Sequence, residues 1–166
     1  MKVCGLPPIN KLLPRFRLAD EVGSYGAIYG FVRRVTHGEY GPPLLLHGPM
    51  ACGKSRLARA IRESLGLEPN NCTFPGGGLK RSQRNSFREV IIGWCAEGER
   101  AIVLRDFCAK DLPCLENVIY DLRVHKAGLI IETSSSELAV RLLTCGMDID
   151  DVGFTAECLD AKKEVA

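Results

Sequence analysis

Two kinds of apolar pattern alternate along the chain. Leu44-Leu45-Leu46-His47, Ala101-Ile102-Val103-Leu104 and Gly128-Leu129-Ile130-Ile131-Glu132-Thr133 are short, nearly continuous apolar runs. That is how strands buried on both faces read. Cys72-Thr73-Phe74 reads as a further short strand, and residues 152–159 as a last one. Between these runs, apolar residues recur at helical spacing. Ser55 to Leu65 sets Leu57, Ala60, Ile61, Ser64 and Leu65 on one face, with Arg56, Arg59, Arg62 and Glu63 largely off it. Gly66 is placed to end that helix. Ser86 to Glu97 carries a stripe of Phe87, Val90, Ile91 and Trp94. Leu115 to His125 and Ser136 to Thr144 read as two more helices, the second opened by a serine run that supplies cap residues. Leu18 to Val35 gives a stripe of Val22, Ala27, Ile28, Phe31, Val32 and Val35, weakened by Gly23, Gly26 and Gly30.

Alternating strands and helices, with apolar rather than half-polar strands, predict an α/β fold. The expected architecture is a three-layer sandwich around a mostly parallel five-stranded sheet. One domain is expected over residues 18–159. Residues 1–17 are expected to be poorly ordered, because Pro7, Pro8 and Pro14 break any long element there. Residues 160–166 read as a polar tail. A long structureless stretch is out of place in a compact domain, so part of residues 1–43 should still pack on the core.

Composition changes this picture little. The chain has 166 residues and a net charge of +2, too small to argue for nucleic acid by itself. Its eight cysteines include no Cys-x-x-Cys pair, and its three histidines are scattered, so no zinc site is suggested. Several cysteines sit in apolar runs, as in Gly93-Trp94-Cys95-Ala96, and read as buried free thiols. No signal peptide and no apolar run of membrane-spanning length is seen, so the expectation is a soluble, intracellular, cytoplasmic protein without a membrane partner, or a nuclear one if it derives from a eukaryotic virus.

The chemistry lies in Gly48-Pro49-Met50-Ala51-Cys52-Gly53-Lys54-Ser55, which fits G-x-x-x-x-G-K-[ST] at every fixed position. Such a match arises by chance in about 1% of chains this long, and here it also lies between a strand and an amphipathic helix, as the motif requires. A phosphate chain has to be approached by bare backbone, which glycine allows. Successive N–H groups then form an anion nest, and the following helix adds its positive end. Lys54 is expected to reach the β- and γ-phosphates, and the Ser55 hydroxyl to join the shell of a Mg²⁺ ion. ATP with Mg²⁺ is the expected ligand. No Asn-Lys-x-Asp guanine-reading motif is found, which lowers GTP.

Pro43-Leu44-Leu45-Leu46-His47-Gly48-Pro49, followed by Gly53-Lys54-Ser55-Arg56-Leu57-Ala58-Arg59-Ala60-Ile61, resembles the AAA+ ATPases and their relatives, the viral superfamily-3 helicases. The likeness is strong over residues 43–65 and continues, as an order of elements, to about residue 159. It implies a core without the C-terminal helical lid, which residues 160–166 cannot build. It also implies two acids at the end of the third strand, one ordering Mg²⁺ and one polarising water. Here Ala101-Ile102-Val103-Leu104-Arg105-Asp106-Phe107 offers one. One alignment puts Arg105 at the metal position and Asp106 at the water position. A shift by one residue makes Asp106 the metal acid and leaves the water position to Phe107. At the end of the fourth strand the resemblance implies a polar sensor, and Ser135 holds that place; a plain helix cap accounts for the serines equally well. An arginine finger from a neighbouring subunit is implied too, with Arg141 preferred over Arg123, and with it a homo-oligomer.

Between the second strand and its helix, Pro75-Gly76-Gly77-Gly78-Leu79-Lys80-Arg81-Ser82-Gln83-Arg84-Asn85-Ser86-Phe87-Arg88 holds four cations within nine residues and no acid. In the resembled ring-forming proteins this segment can face a central channel. Lys80, Arg81, Arg84 and Arg88 would there track the backbone of single-stranded DNA or RNA without reading sequence; a solvated basic loop is the plainer reading. Three functions follow. The first is an ATPase acting on DNA or RNA in replication, possibly as a helicase. The second is a slow or inactive nucleotide-dependent switch or adaptor, favoured by the single acid. The third is a small-molecule or nucleoside kinase, disfavoured because position 51 is Ala where such loops more often carry Gly.

Overall fold

A computed structural model describes residues 9–75 and 84–155. Its five strands are β1 (Leu44–His47), β2 (Thr73–Pro75), β3 (Ala101–Arg105), β4 (Gly128–Thr133) and β5 (Asp150–Gly153). Its helices are α1 (Ile9–Leu12), α2 (Glu21–Thr36), α3 (Lys54–Ser64), α4 (Arg84–Ala96), α5 (Leu112–His125) and α6 (Ser136–Thr144). The strands form one sheet in the order β2-β3-β4-β1-β5, and every paired neighbour is parallel. This is the expected α/β three-layer fold with a parallel five-stranded sheet.

Alternation along the strands sorts side chains between two cores. Leu44 and Leu46 of β1, Ala101 and Val103 of β3, and Ile130 of β4 face the layer built by α1, α2 and α3. Leu45, Ile102, Leu104, Leu129 and Ile131 face α4, α5 and α6. A polar residue one step beyond Ile131 or two beyond Val103 therefore returns to the α3 side. Glu132 and Arg105 occupy those two places.

Three expectations need correction. Of the segment 1–17 expected to be poorly ordered, residues 1–8 lie outside the described residues, as does the expected tail 160–166, whereas residues 9–17 are organised. Leu12, Leu13 and Phe16 are buried in the α2–α3 core, and Leu18 bridges Phe154. The prolines limit element length, yet α1 and a single 3-10 turn at Leu13–Arg15 suffice to bring these apolar groups inward. Among the described residues the last strand is Asp150–Gly153, starting before the expected run 152–159, of which residues 156–159 lie outside the described residues. It is an edge strand paired to β1, with Leu44 opposite Asp150, so polar side chains are tolerated there. Val22 does not join the stripe of α2 but lies 85% exposed; Ser24, Ile28, Phe31 and Val35 form the buried face instead. Asp20 caps that helix by accepting from the Gly23 N–H at 3.0 Å.

Among the described residues, Cys52, Cys72, Cys95, Cys108, Cys114 and Cys145 form no disulfide. No described helix is long and apolar enough to cross a membrane. Burial, with the neighbouring Glu99, pushes the Cys72 thiol up to about 12, and burial pushes that of Cys95 up to about 11. Cys145 is exposed. Because the thiolate is the nucleophile, iodoacetamide at pH 8 should label Cys145 in the native protein well before Cys72, Cys95 or Cys114. Peptide mapping of a labelling time course checks this order.

Candidate functional site

The loop from Gly48 to Gly53 joins the end of β1 to the start of α3 in the middle of the sheet, beside β4. This is the crevice beyond the carboxyl ends of the strands where parallel sheets hold ligands. Local backbone chemistry shapes the loop. Gly53 has φ +104, and a Cβ there would lie 2.6 Å from the Phe16 ring. Ala51 also takes a left-handed conformation, at φ 60. Gly53 holds the N-cap position of α3 and no side chain caps that helix. The first-turn N–H groups and the positive helix end therefore stay available to an anion.

Lys54 is only 8% exposed. Its ammonium donates to the carbonyl oxygens of Gly48 at 2.9 Å and Pro49 at 2.7 Å, and approaches the Cys52 sulfur at 3.5 Å. The loop thus curls around its own lysine. Lys54 and Ser55 line a cavity of about 460 Å³ together with Met50, Ala51, Cys52 and Gly53. The N-terminal segment contributes Leu12, Arg15 and Phe16 to its lining. Phe16 is held there by an edge-on contact with Phe154, with ring centroids 5.5 Å apart. Arg56, Arg59 and Arg105 add positive charge, and Asp106, Glu132 and Ser134 complete the lining.

Glu132 is the residue that sequence reasoning passed over. The Ser55 hydroxyl donates to its Oε1 at 2.7 Å. The side chain is buried, in the middle of the sheet, opposite Leu46 of β1. Burial pushes its carboxyl up; the hydrogen bond from Ser55 and the charges of Arg105 and Lys54 oppose that rise, and Asp106 adds to it. The signal was present as strand parity: Ile130 faces α3, so Glu132 does too. Asp106, just past the end of β3, is exposed with φ 49, a conformation that Asp tolerates better than most non-glycine residues.

The other expected site residues are placed as follows. Ser135 caps α6, accepting from the Leu138 N–H at 3.1 Å, while its neighbour Ser134 lines the cavity. Arg141 is exposed on α6 and lines a separate cavity with Leu112, Glu116 and Met147. Arg88 makes a two-pronged ion pair with Asp121 of α5, both contacts at 2.9 Å. Arg84 begins α4. Lys80 and Arg81 lie outside the described residues.

The donor set suits a hard cation. The Ser55 hydroxyl and the carboxylates of Glu132 and Asp106 are oxygen ligands lining one cavity, as Mg²⁺ requires. Among the described residues there is no cluster of three His, Cys, Asp or Glu side chains able to hold a metal without further ligands. A magnesium ion here would therefore draw on the phosphates and on water as well.

No family model matches the chain. The mouse protein described as nuclear valosin-containing protein-like is 30% identical over 122 residues, which is 71% of this chain and 13% of that protein. Two solved structures of Thermotoga maritima RuvB variants superpose with TM-scores of 0.58 and 0.55, at 17% and 18% identity. They cover 89% and 83% of this chain, which spans 51% and 45% of theirs. A third, described as the Thermotoga maritima RuvB Holliday junction branch migration motor, has a TM-score of 0.50 at 15% identity. It covers 89% of this chain, which spans 51% of it. The likeness to these solved structures is one of fold.

Replacing Gly53 by Ala should strain the backbone and push against Phe16. We expect a loss of about 1–3 kcal/mol in urea unfolding and a weaker grip on nucleotide in an equilibrium titration. With a shared order of elements and a complete phosphate-binding loop, the chain is a P-loop fold that resembles the AAA+ ATPases.

Proposed function

We propose that the chain binds ATP with Mg²⁺ at residues 48–55 and hydrolyses it to drive movement along, or remodelling of, a single-stranded nucleic acid. The observation that carries the nucleotide reading is the loop itself: a buried lysine ringed by backbone carbonyls, beside an uncapped helix start. On binding, the phosphates would take over the Lys54 ammonium from the carbonyls of Gly48 and Pro49. The N–H groups of Met50 to Ser55 would cradle the phosphate chain, and Ser55 would help hold the magnesium ion. When bound, that ion would offset the charge of the phosphates.

In hydrolysis the oxygen of a water molecule forms a bond to the γ-phosphorus. The bond from that phosphorus to the β,γ-bridging oxygen breaks, and its electron pair stays on ADP. The water proton passes to Asp106 or to the released phosphate. Asp106 suits the task of polarising water because it lines the cavity yet stays exposed. Just past the end of β4, Ser134 lines the cavity and would sense the γ-phosphate, while Ser135 holds the start of α6. Arg141 lies away from the cavity of its own chain, which fits a finger offered to a neighbouring copy in a homo-oligomer.

The nucleic-acid part rests on the basic segment 80–88. Within it Arg88 is already neutralised by Asp121, so Lys80, Arg81 and Arg84 carry that reading. One of the similar RuvB structures is described as a Holliday junction branch migration motor, which lends the same direction. Arg105, standing where the resemblance implies an acid, favours the second reading of a slow nucleotide switch.

ATP turnover with Mg²⁺, measured with and without single-stranded DNA or RNA, separates these. We expect turnover stimulated by nucleic acid in the intact protein. Lys54→Ala should lower it by at least about 100-fold, as expected on losing a transition-state charge contact. Nucleotide binding without turnover would favour the switch. Phosphate transfer to a nucleoside or metabolite in place of water would favour a kinase.

A further inference from the structure

We propose that Glu132 does the work of the acid missing from the end of β3, so that the two carboxylates of this nucleotide site come from two different strands. The inference rests on the nucleotide reading above and assigns the residue that would order its cation.

A serine hydroxyl such as that of Ser55 has one proton and two lone pairs. If the proton is committed to a carboxylate, the lone pairs are turned elsewhere, and a cation can be met by oxygen. In P-loop enzymes an acid on the strand is therefore expected beside the loop Ser or Thr. Here the group that takes the Ser55 proton is Glu132 Oε1, at 2.7 Å. It is not a residue of β3, where Arg105 holds the corresponding place.

The sheet explains why β4 can supply it. Leu104 pairs with Ile131, so the next step along both strands sets Glu132 beside Arg105. Both residues line the cavity with Ser55 and Asp106, and both also line the adjoining cavity of about 270 Å³. Glutamate is one methylene longer than aspartate, and from β4, adjacent to β1, it reaches the first turn of α3. With Glu132 on the cation, Asp106 is left for the water. The alignment that puts Arg105 at the metal position then has no missing function. Arg105 supplies instead a positive charge beside a buried carboxylate.

The test is the Mg²⁺ dependence of nucleotide affinity, read with a fluorescent ATP analogue in Mg²⁺ and in EDTA. The proteins compared are the full chain, Glu132→Gln, Glu132→Asp and Asp106→Asn. In the unaltered chain Mg²⁺ should tighten binding. Glu132→Gln should lose that gain by about tenfold or more, the usual cost of removing a group that holds a metal ligand in place, while its affinity in EDTA stays within about threefold. Asp106→Asn should keep the Mg²⁺ gain and lose turnover. Should Glu132→Gln fail to fold, Glu132→Asp carries the test, with a reduced Mg²⁺ gain and an unchanged affinity in EDTA expected. The proposal is overturned if the Glu132 variants keep the full gain, or if Asp106→Asn alone abolishes it. It is also overturned if a Glu132 variant loses affinity equally in EDTA, since that marks a damaged loop. If the unaltered chain binds no nucleotide in either condition, the nucleotide reading falls and this inference with it.

Discussion

A lysine ammonium that is largely removed from water must be surrounded by oxygen, and this requirement organises the centre of the molecule. Lys54 meets it with the carbonyls of Gly48 and Pro49, which forces the chain between β1 and α3 to close on itself. Closure brings Gly53 against Phe16 and leaves α3 without a side-chain cap. A left-handed Ala51, a buried cation and an open helix start are each unfavourable or neutral for an isolated domain. Together they make a concave positive surface matched to a polyphosphate.

The sheet sets where acids can stand around that surface. β1, β3 and β4 lie side by side with their carboxyl ends together, so residues from three strands reach one crevice. Period-two alternation then restricts the choice to positions facing α3. Glu132 and Arg105 satisfy it, and the turn after β3 brings Asp106 to the same cavity. The local charge is therefore mixed: Lys54, Arg15, Arg56, Arg59 and Arg105 against Glu132 and Asp106. A triphosphate with its cation fits this balance better than a neutral ligand of similar size.

Much of the architecture was legible in the sequence because buried parallel strands are apolar without interruption. β1, β3 and β4 appear in the chain as runs that no helix period explains, and the loop of residues 48–55 is defined by residue types fixed by chemistry. What escaped reading depends on tertiary contact. Leu12, Leu13 and Phe16 are spaced too irregularly to announce an element, yet Leu12 and Phe16 line the cavity. Asp150 and Asp151 hide an edge strand, because pairing there is made by the backbone whatever the side chains are. Ser134 and Ser135 are alike in sequence, and only the turn into α6 decides that one caps the helix and the other faces the cavity. Glu132 stood in plain view inside an apolar strand. Its partner Ser55 is 77 positions away along the chain, so parity along β4 was the only local sign of which way it points.

If the fold is built around a polyphosphate site, thermal unfolding will register the ligand whether or not the protein turns it over. A ligand that binds only the folded chain stabilises it by about 2.7 kcal/mol at a hundred times its Kd. For a domain of this size that is a rise in Tm of about 5–10 °C. We expect such a rise with Mg²⁺ and ATP, a much smaller one with AMP, and neither in Lys54→Ala. An unchanged Tm with ATP, or an equal rise with AMP, would mean that the loop around Lys54 is not a polyphosphate site.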